Sequence, residues 1–69
     1  MNLLIKDRLP LPSEGKSEIY NVLGQRVLSH VHLPPEDYIY IGNLTSGYYI
    51  LMTFDSSGRF VNKTRFTKL

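Results

Sequence analysis

Residues 19–27 read IYNVLGQRV, two apolar-and-polar alternating segments folded about the Leu23-Gly24 pair. Glycine reaches the positive φ that a tight connection between antiparallel strands needs, so the stretch predicts a β-hairpin. Outward from it the period of two continues. SEIYNV (17–22) and QRVLSHVHL (25–33) are the arms of the hairpin, and YIYIGNL (38–44) places Ile39 and Ile41 on one face with Tyr38 and Tyr40 on the other. TSG (45–47) turns the chain into YYILMTF (48–54), the most apolar segment, and DSSG (55–58) turns it into RFVNKTRFTKL (59–69). At the start, NLLIKD (2–7) makes a short strand. RLPLPSEGK (8–16) reads as a loop, because proline has no N–H to give to a ladder.

No window repeats at the helical spacing i, i+3, i+4, i+7, and β-branched and aromatic residues dominate. The expectation is an all-β chain of about six antiparallel strands, a small sandwich forming a single domain over residues 1–69. Its core is expected to gather Ile19, Val27, Ile39, Ile41, Leu44, Tyr49 and Leu51. Gly47, which launches the most apolar strand, is expected to be the least replaceable residue.

The chain has 69 residues and no cysteine, which excludes a disulfide framework and a thiolate zinc site. A core this small supplies roughly 3–5 kcal/mol, so few residues are energetically idle. The net charge is +2 and the isoelectric point about 9.1, with Arg59, Lys63, Arg65 and Lys68 clustered in the last segment. That bias would suit an acidic partner, but a solvated edge strand kept soluble by its cations is the preferred reading. No apolar run approaches the roughly 18 residues of a membrane span. Residues 1–12 lack the charged start, long apolar stretch and small-residue cleavage site of a secretory leader, so an export signal, if used, would lie outside these residues.

Reactive constellations are sparse. There is no G-x-S-x-G or comparable nucleophilic serine, and of the carboxylates Asp7, Glu14, Glu18, Glu36, Asp37 and Asp55 nearly all fall at turns or strand ends. His30 and His32 share a strand face, but zinc would need a further ligand, with Glu36 or Asp37 as candidates; two solvent-facing histidines is the preferred reading. The glycines stand singly, so no phosphate-cradling loop and no cofactor site can be built. Arg59, Phe60, Lys63, Arg65 and Phe66 could in principle stack and neutralise a nucleic-acid strand. Alternation, however, puts Phe60 and Phe66 on one face and Lys63 and Arg65 on the other, which favours core against solvent over nucleic-acid binding.

In order, IYNVLGQRVLS, YIYIGNLTSGYYILM and SSGRFVNKTRF resemble the C-terminal sorting domain (type A) of cargo proteins of the type IX secretion system. Tyr20, Asn21, Gly24, Gln25 and Val27 fill that family's first motif. Ile39, Ile41, Leu44, Gly47 and Tyr49 fill the second, and Lys63 or Arg65 stands at the basic position of the last strand. The match is good over residues 17–69 and loose before them; the family's opening Pro-Asn-Pro segment and first strand have no counterpart here. The resemblance implies an immunoglobulin-like sandwich that does no chemistry. It implies an exported protein whose domain is read in the periplasm by the outer-membrane translocon and removed by a sortase-like peptidase as the cargo reaches the cell surface.

Two function classes follow. One is this non-enzymatic sorting module. The other is an immunoglobulin-like or fibronectin-like binding module that holds carbohydrate or protein with Tyr38, Tyr40 and Tyr48. If a family strand is missing, a homodimer through the unpaired edge at residues 3–5 or along residues 60–66 is also expected.

Overall fold

A computed structural model describes residues 3–10, 14–33, 35 and 38–69 of the chain. Among them are seven strands and no helix: β1 (Leu3–Ile5), β2 (Arg8–Pro10), β3 (Gly15–Asn21), β4 (Arg26–His32), β5 (Tyr38–Tyr40), β6 (Gly47–Phe54) and β7 (Phe60–Lys68). They form a five-stranded sheet in the order β1-β7-β6-β3-β4 and a two-stranded sheet of β2 and β5.

The long strands exist because their residues alternate. In β6 the inward Tyr49, Leu51 and Thr53 are buried and the outward Ile50, Met52 and Phe54 half-buried. Leu9 and Ile39 of the small sheet, with Ile41 just beyond it, close over Ile19, Tyr49, Leu51 and Phe66 of the large one, and Ile5, Leu28 and Leu44 pack around them. The Ile41 N–H donates to the Asp7 carbonyl at 2.8 Å, which fastens the end of the small sheet.

The β3–β4 and β6–β7 hairpins are built on one recipe. Asn21 and Asp55 occupy the same place in each: the Asn21 N–H donates to the Gln25 carbonyl and its own carbonyl accepts from Gly24, while Asp55 does the same with Arg59 and Gly58. Gly24 and Gly58 take φ of 81° and 90°, the left-handed step of such a turn. A one-residue bulge follows at the same offset, leaving Val27 without a partner between the pairs Tyr20–Arg26 and Ile19–Leu28, and Val61 between Phe54–Phe60 and Thr53–Asn62. Because β3 and β6 run antiparallel, with Asn21 opposite Tyr49 and Lys16 opposite Phe54, the two turns stand at opposite ends of the sheet.

Several sequence expectations are corrected here. The strands number seven rather than six, since Arg8–Pro10, expected as loop, pairs antiparallel with Tyr38–Tyr40. Each of these strands has one ladder partner, so Pro10 withholds no N–H that a second neighbour would need. Arg8 sits over the Tyr38 ring at 4.8 Å, and Leu9 is fully buried. The large sheet is not wholly antiparallel, because β1 runs parallel to β7. β7, expected as an edge, therefore lies between β1 and β6, and the edges are β1 and β4.

The bulges correct two more. Val27 is 39% exposed and outside the core, because it is the unpaired residue and Leu28 takes the place facing Ile19. The bulge at Val61 turns Phe60 onto the face of Lys63 and Arg65, against Phe54 with ring centroids 6.0 Å apart, whereas Phe66 is buried on the other.

Gly15 rather than Gly47 is the position where a side chain would meet backbone, while one at Gly42 would meet the Tyr40 ring. At Gly15 φ is 147° and a β-carbon would collide with the Phe54 carbonyl oxygen; at Gly47 φ is 154° but the space is open.

Candidate functional site

Most of the motif residues converge at one end of the large sheet. The Asn21 side chain organises its turn: Oδ1 accepts from the Leu23 and Gln25 N–H groups, both at 3.0 Å, and Nδ2 donates to Gln25 Oε1 at 2.9 Å. These bonds satisfy backbone donors that the turn would otherwise leave to water. Beside it the chain rounds a corner at residues 41–47, where the Leu44 N–H donates to the Ile41 carbonyl at 3.0 Å. The Tyr49 hydroxyl ties that corner down by donating to the Thr45 carbonyl at 2.7 Å, and its ring stacks on Phe66 at 5.6 Å between centroids. Asn21, Val22, Val27, Leu44, Gly47, Tyr48 and Tyr49 thus frame one hollow, and Arg65 joins Asn21, Val22 and Tyr48 around a smaller adjoining one.

Two motif residues lie elsewhere. Lys63 pairs with Met52, on the outer face and farther along β7, and shares no hollow with the turn. Tyr20 also faces outward, donating its hydroxyl to Glu18 Oε1 at 2.8 Å. Glu18 is 6% exposed and takes Lys16 Nζ and Arg26 Nη1 on its other oxygen, each at 3.2 Å. The Tyr20 hydrogen bond, supported by Lys16 and Arg26 against partial desolvation, holds the Glu18 carboxyl below its ordinary range; the same bond raises the Tyr20 phenol above its own.

What sequence reasoning missed is the tip of the turn. Val22 and Leu23 are 73% and 79% exposed, and neither side chain belongs to the core. The equivalent tip of the second hairpin carries Ser56 and Ser57. The signal was available: aligning Tyr20-Asn21-x-x-Gly24-x-x-Val27 with Phe54-Asp55-x-x-Gly58-x-x-Val61 shows apolar and polar choices parting at the two tip positions, and again at Arg26 against Phe60 after the glycine.

The other candidates resolve as follows. His32 is fully buried, not solvent-facing, with Nε2 3.3 Å from Ser17 Oγ, and its ring stacks on His30 at 6.3 Å between centroids. Glu36 and Asp37 lie outside the described residues, and among the described residues no three potential ligands group around a metal position. Tyr38 and Tyr40 line a cleft with Leu28 and His30, while Tyr48 belongs to the hollows beside Asn21, so the three tyrosines do not form one surface. Comparison of the chain with protein-family models, with curated proteins and with solved structures gave no significant match.

Proposed function

We propose that this chain is a non-enzymatic sorting module, an immunoglobulin-like sandwich fused to an exported protein and read by the outer-membrane translocon of the type IX secretion system. A sortase-like peptidase then separates it from its cargo at the cell surface. The observation that carries this reading is the exposed pair Val22 and Leu23. Burial favours placing such side chains inside, and the twin hairpin reaches the same backbone with two serines, so the fold does not require an apolar tip. An apolar pair held in solvent by a rigid turn is suited to entering a pocket on another protein. It stands where Asn21, Leu44, Gly47 and Tyr49 meet, which are residues the family resemblance singles out.

The test is a fusion of residues 1–69 to the C-terminus of a periplasmic reporter, in a host that carries the type IX system. Reporter in the medium or on the cell surface, and its periplasmic retention in a strain lacking the translocon, is the expected result. Retention in both strains, alongside export of a reporter bearing an established sorting domain, would remove the reading.

A further inference from the structure

The outer face of the five-stranded sheet is covered by no element among the described residues, and its side chains are arranged in rows. Ile50 and Met52 of β6 run down the middle, half-buried, with Phe54 below them. On one flank Ile50 pairs with Arg65 and Met52 with Lys63, both cations exposed. On the other, Ile50 pairs with Tyr20 and Tyr20 with Arg26, while Met52 pairs with Glu18. Glu18 is the single carboxylate on this face among the described residues, and its oxygens are already engaged by Tyr20, Lys16 and Arg26. The face therefore presents an apolar row between a cationic margin at Lys63 and Arg65 and a weaker one at Arg26, whose guanidinium shares its charge with Glu18.

We propose that this face docks an amphipathic helix of a partner protein, one whose apolar stripe is flanked by glutamate or aspartate. The apolar stripe rests on Ile50 and Met52; the flanking carboxylates meet Arg26 on one side and Lys63 and Arg65 on the other. The dimensions agree. Strands about 4.8 Å apart put β4 and β7 about 14 Å from each other, and a helix with its side chains is about 10–12 Å across. The eight residues of β6 span about 27 Å, the length of a helix of about 18 residues.

The chemistry also separates this occupant from others. Ile50 and Met52 sit below the level of the long cationic side chains, so the apolar contact must be a ridge that descends between them, which a helix supplies and a flat bilayer does not. The aromatic rings are poorly placed to stack successive bases: Phe54 is engaged by Lys16 at 5.2 Å and by Phe60, Tyr20 is tied to Glu18, and the exposed Tyr48 and Phe60 stand at opposite ends of the β6 row, about 20 Å apart. This surface excludes Val22 and Leu23 but shares Ile50 and Arg65 with the hollow that Val22 lines, so the peptide titration, which needs no secretion machinery, is what separates its failure from that of the sorting reading.

The experiment titrates the full 15N-labelled chain with two synthetic helical peptides of about 18 residues, alike in their leucine stripe but flanked by glutamates in one and lysines in the other. Phosphatidylserine vesicles and an oligothymidine strand form two further arms. Amide shifts centred on Tyr20, Ile50, Met52 and Arg65 with the glutamate peptide are expected, with affinity at least tenfold weaker for the lysine peptide and falling as salt rises. Reversing the flank with Lys63→Glu and Arg65→Glu should weaken the glutamate peptide at least tenfold, and the milder Lys63→Gln with Arg65→Gln should do so in the same direction if the reversal disturbs folding. Equal binding of the two peptides, shifts on another surface, no shifts at millimolar peptide, or preferential binding of vesicles or oligothymidine to this face would each overturn the proposal.

Discussion

The turn at Asn21 and the turn at Asp55 are one piece of backbone built twice, and the difference between their surroundings is instructive. At both, an Asx side chain accepts from two backbone N–H groups, a glycine takes the left-handed step, and a valine bulges out two residues after the next. At the Asp55 end the tip is Ser56 and Ser57, Gly15 presses against the Phe54 carbonyl, and a hollow lined by Val31, Leu33 and Asp55 lies alongside, so the two ends differ in their tips rather than in having a hollow. The Asn21 end stands beside a hollow, carries Val22 and Leu23 in solvent, and is braced from below by Tyr49 holding Thr45. The first motif, from Tyr20 to Val27, is thus largely a recipe for a hairpin, because its Asx, glycine and valine occur at both ends. Only what differs between the ends is left to serve recognition.

The comparison can be broken most severely at Gly15. Gly15→Ala forces a β-carbon onto a backbone oxygen at a positive φ, and is expected to cost about 3 kcal/mol or more, which unfolds much of a domain this small. Gly47→Ala, with the same sign of φ but open space, should cost about 1–2 kcal/mol. Chemical denaturation of the two variants checks the order, and an equal loss would remove the claim that the backbone is packed more closely at Gly15 than at Gly47.

A smaller effect is expected from the caps. Asn21→Ala loses two acceptor contacts and should destabilise by about 1 kcal/mol, seen as a melting midpoint lower by about 4–8 °C. Asp55→Ala should act in the same direction, since it accepts from Ser57 and Arg59 in the same way. Stability that falls in one variant only would mean the two turns are alike in shape but not in what holds them.

Acid sharpens the comparison further, because one cap titrates and the other does not. The Ser57 hydroxyl, the Arg59 N–H and the neighbouring turn amides hold Asp55 below its ordinary range. A carboxyl depressed in the folded state contributes stability that is present above its unfolded value, near pH 4, and lost as pH falls through the folded value. Glu18 acts in the same window and sense. Asp55→Asn should therefore flatten the fall of stability below about pH 4, and Asn21→Asp should steepen it, in urea titrations at pH 2.5 to 6. Parallel pH profiles for these variants and the parent chain would show that the Asp55 contacts carry no linkage.

Much of the fold was legible in the alternation of apolar residues. Ile19, Ile39, Ile41, Tyr49 and Leu51 are buried as their parity requires, while Tyr38 and Tyr40 face outward. The losses have physical causes. A bulge adds one residue to one strand, so parity read through Val27 or Val61 assigns each residue beyond it to the wrong face, and nothing in the residue type marks the extra one. The strand at Arg8–Pro10 hid behind its proline, which rules out a central strand and not one with a single partner. The parallel pairing of β1 with β7 joins residues at the two extremes of the chain, which no local pattern records. The candidate site was half legible: Asn21, Gly24, Leu44, Gly47 and Tyr49 converge, but Lys63 stands apart, and the tip residues emerged only when the second hairpin supplied a control.

The tips also give the smallest expected effect on stability and the largest on function. Val22→Ser with Leu23→Ser exchanges exposed side chains at positions the turn holds by backbone and should change stability by no more than about 0.5 kcal/mol, whereas Ser56→Val with Ser57→Leu also removes the Ser57 hydroxyl's 2.7 Å hydrogen bond to Asp55 Oδ1 and should cost about 1 kcal/mol. Export of a reporter fused to each form in a type IX host, measured with the melting midpoint of the purified domain, tests the sorting reading most directly. The parent and the Ser56→Val, Ser57→Leu form should be exported alike, and the Val22→Ser, Leu23→Ser form should be retained at least tenfold more while melting as the parent does. Undiminished export of a Val22→Ser, Leu23→Ser domain that remains folded would contradict the claim that the Asn21 tip is what the secretion machinery reads.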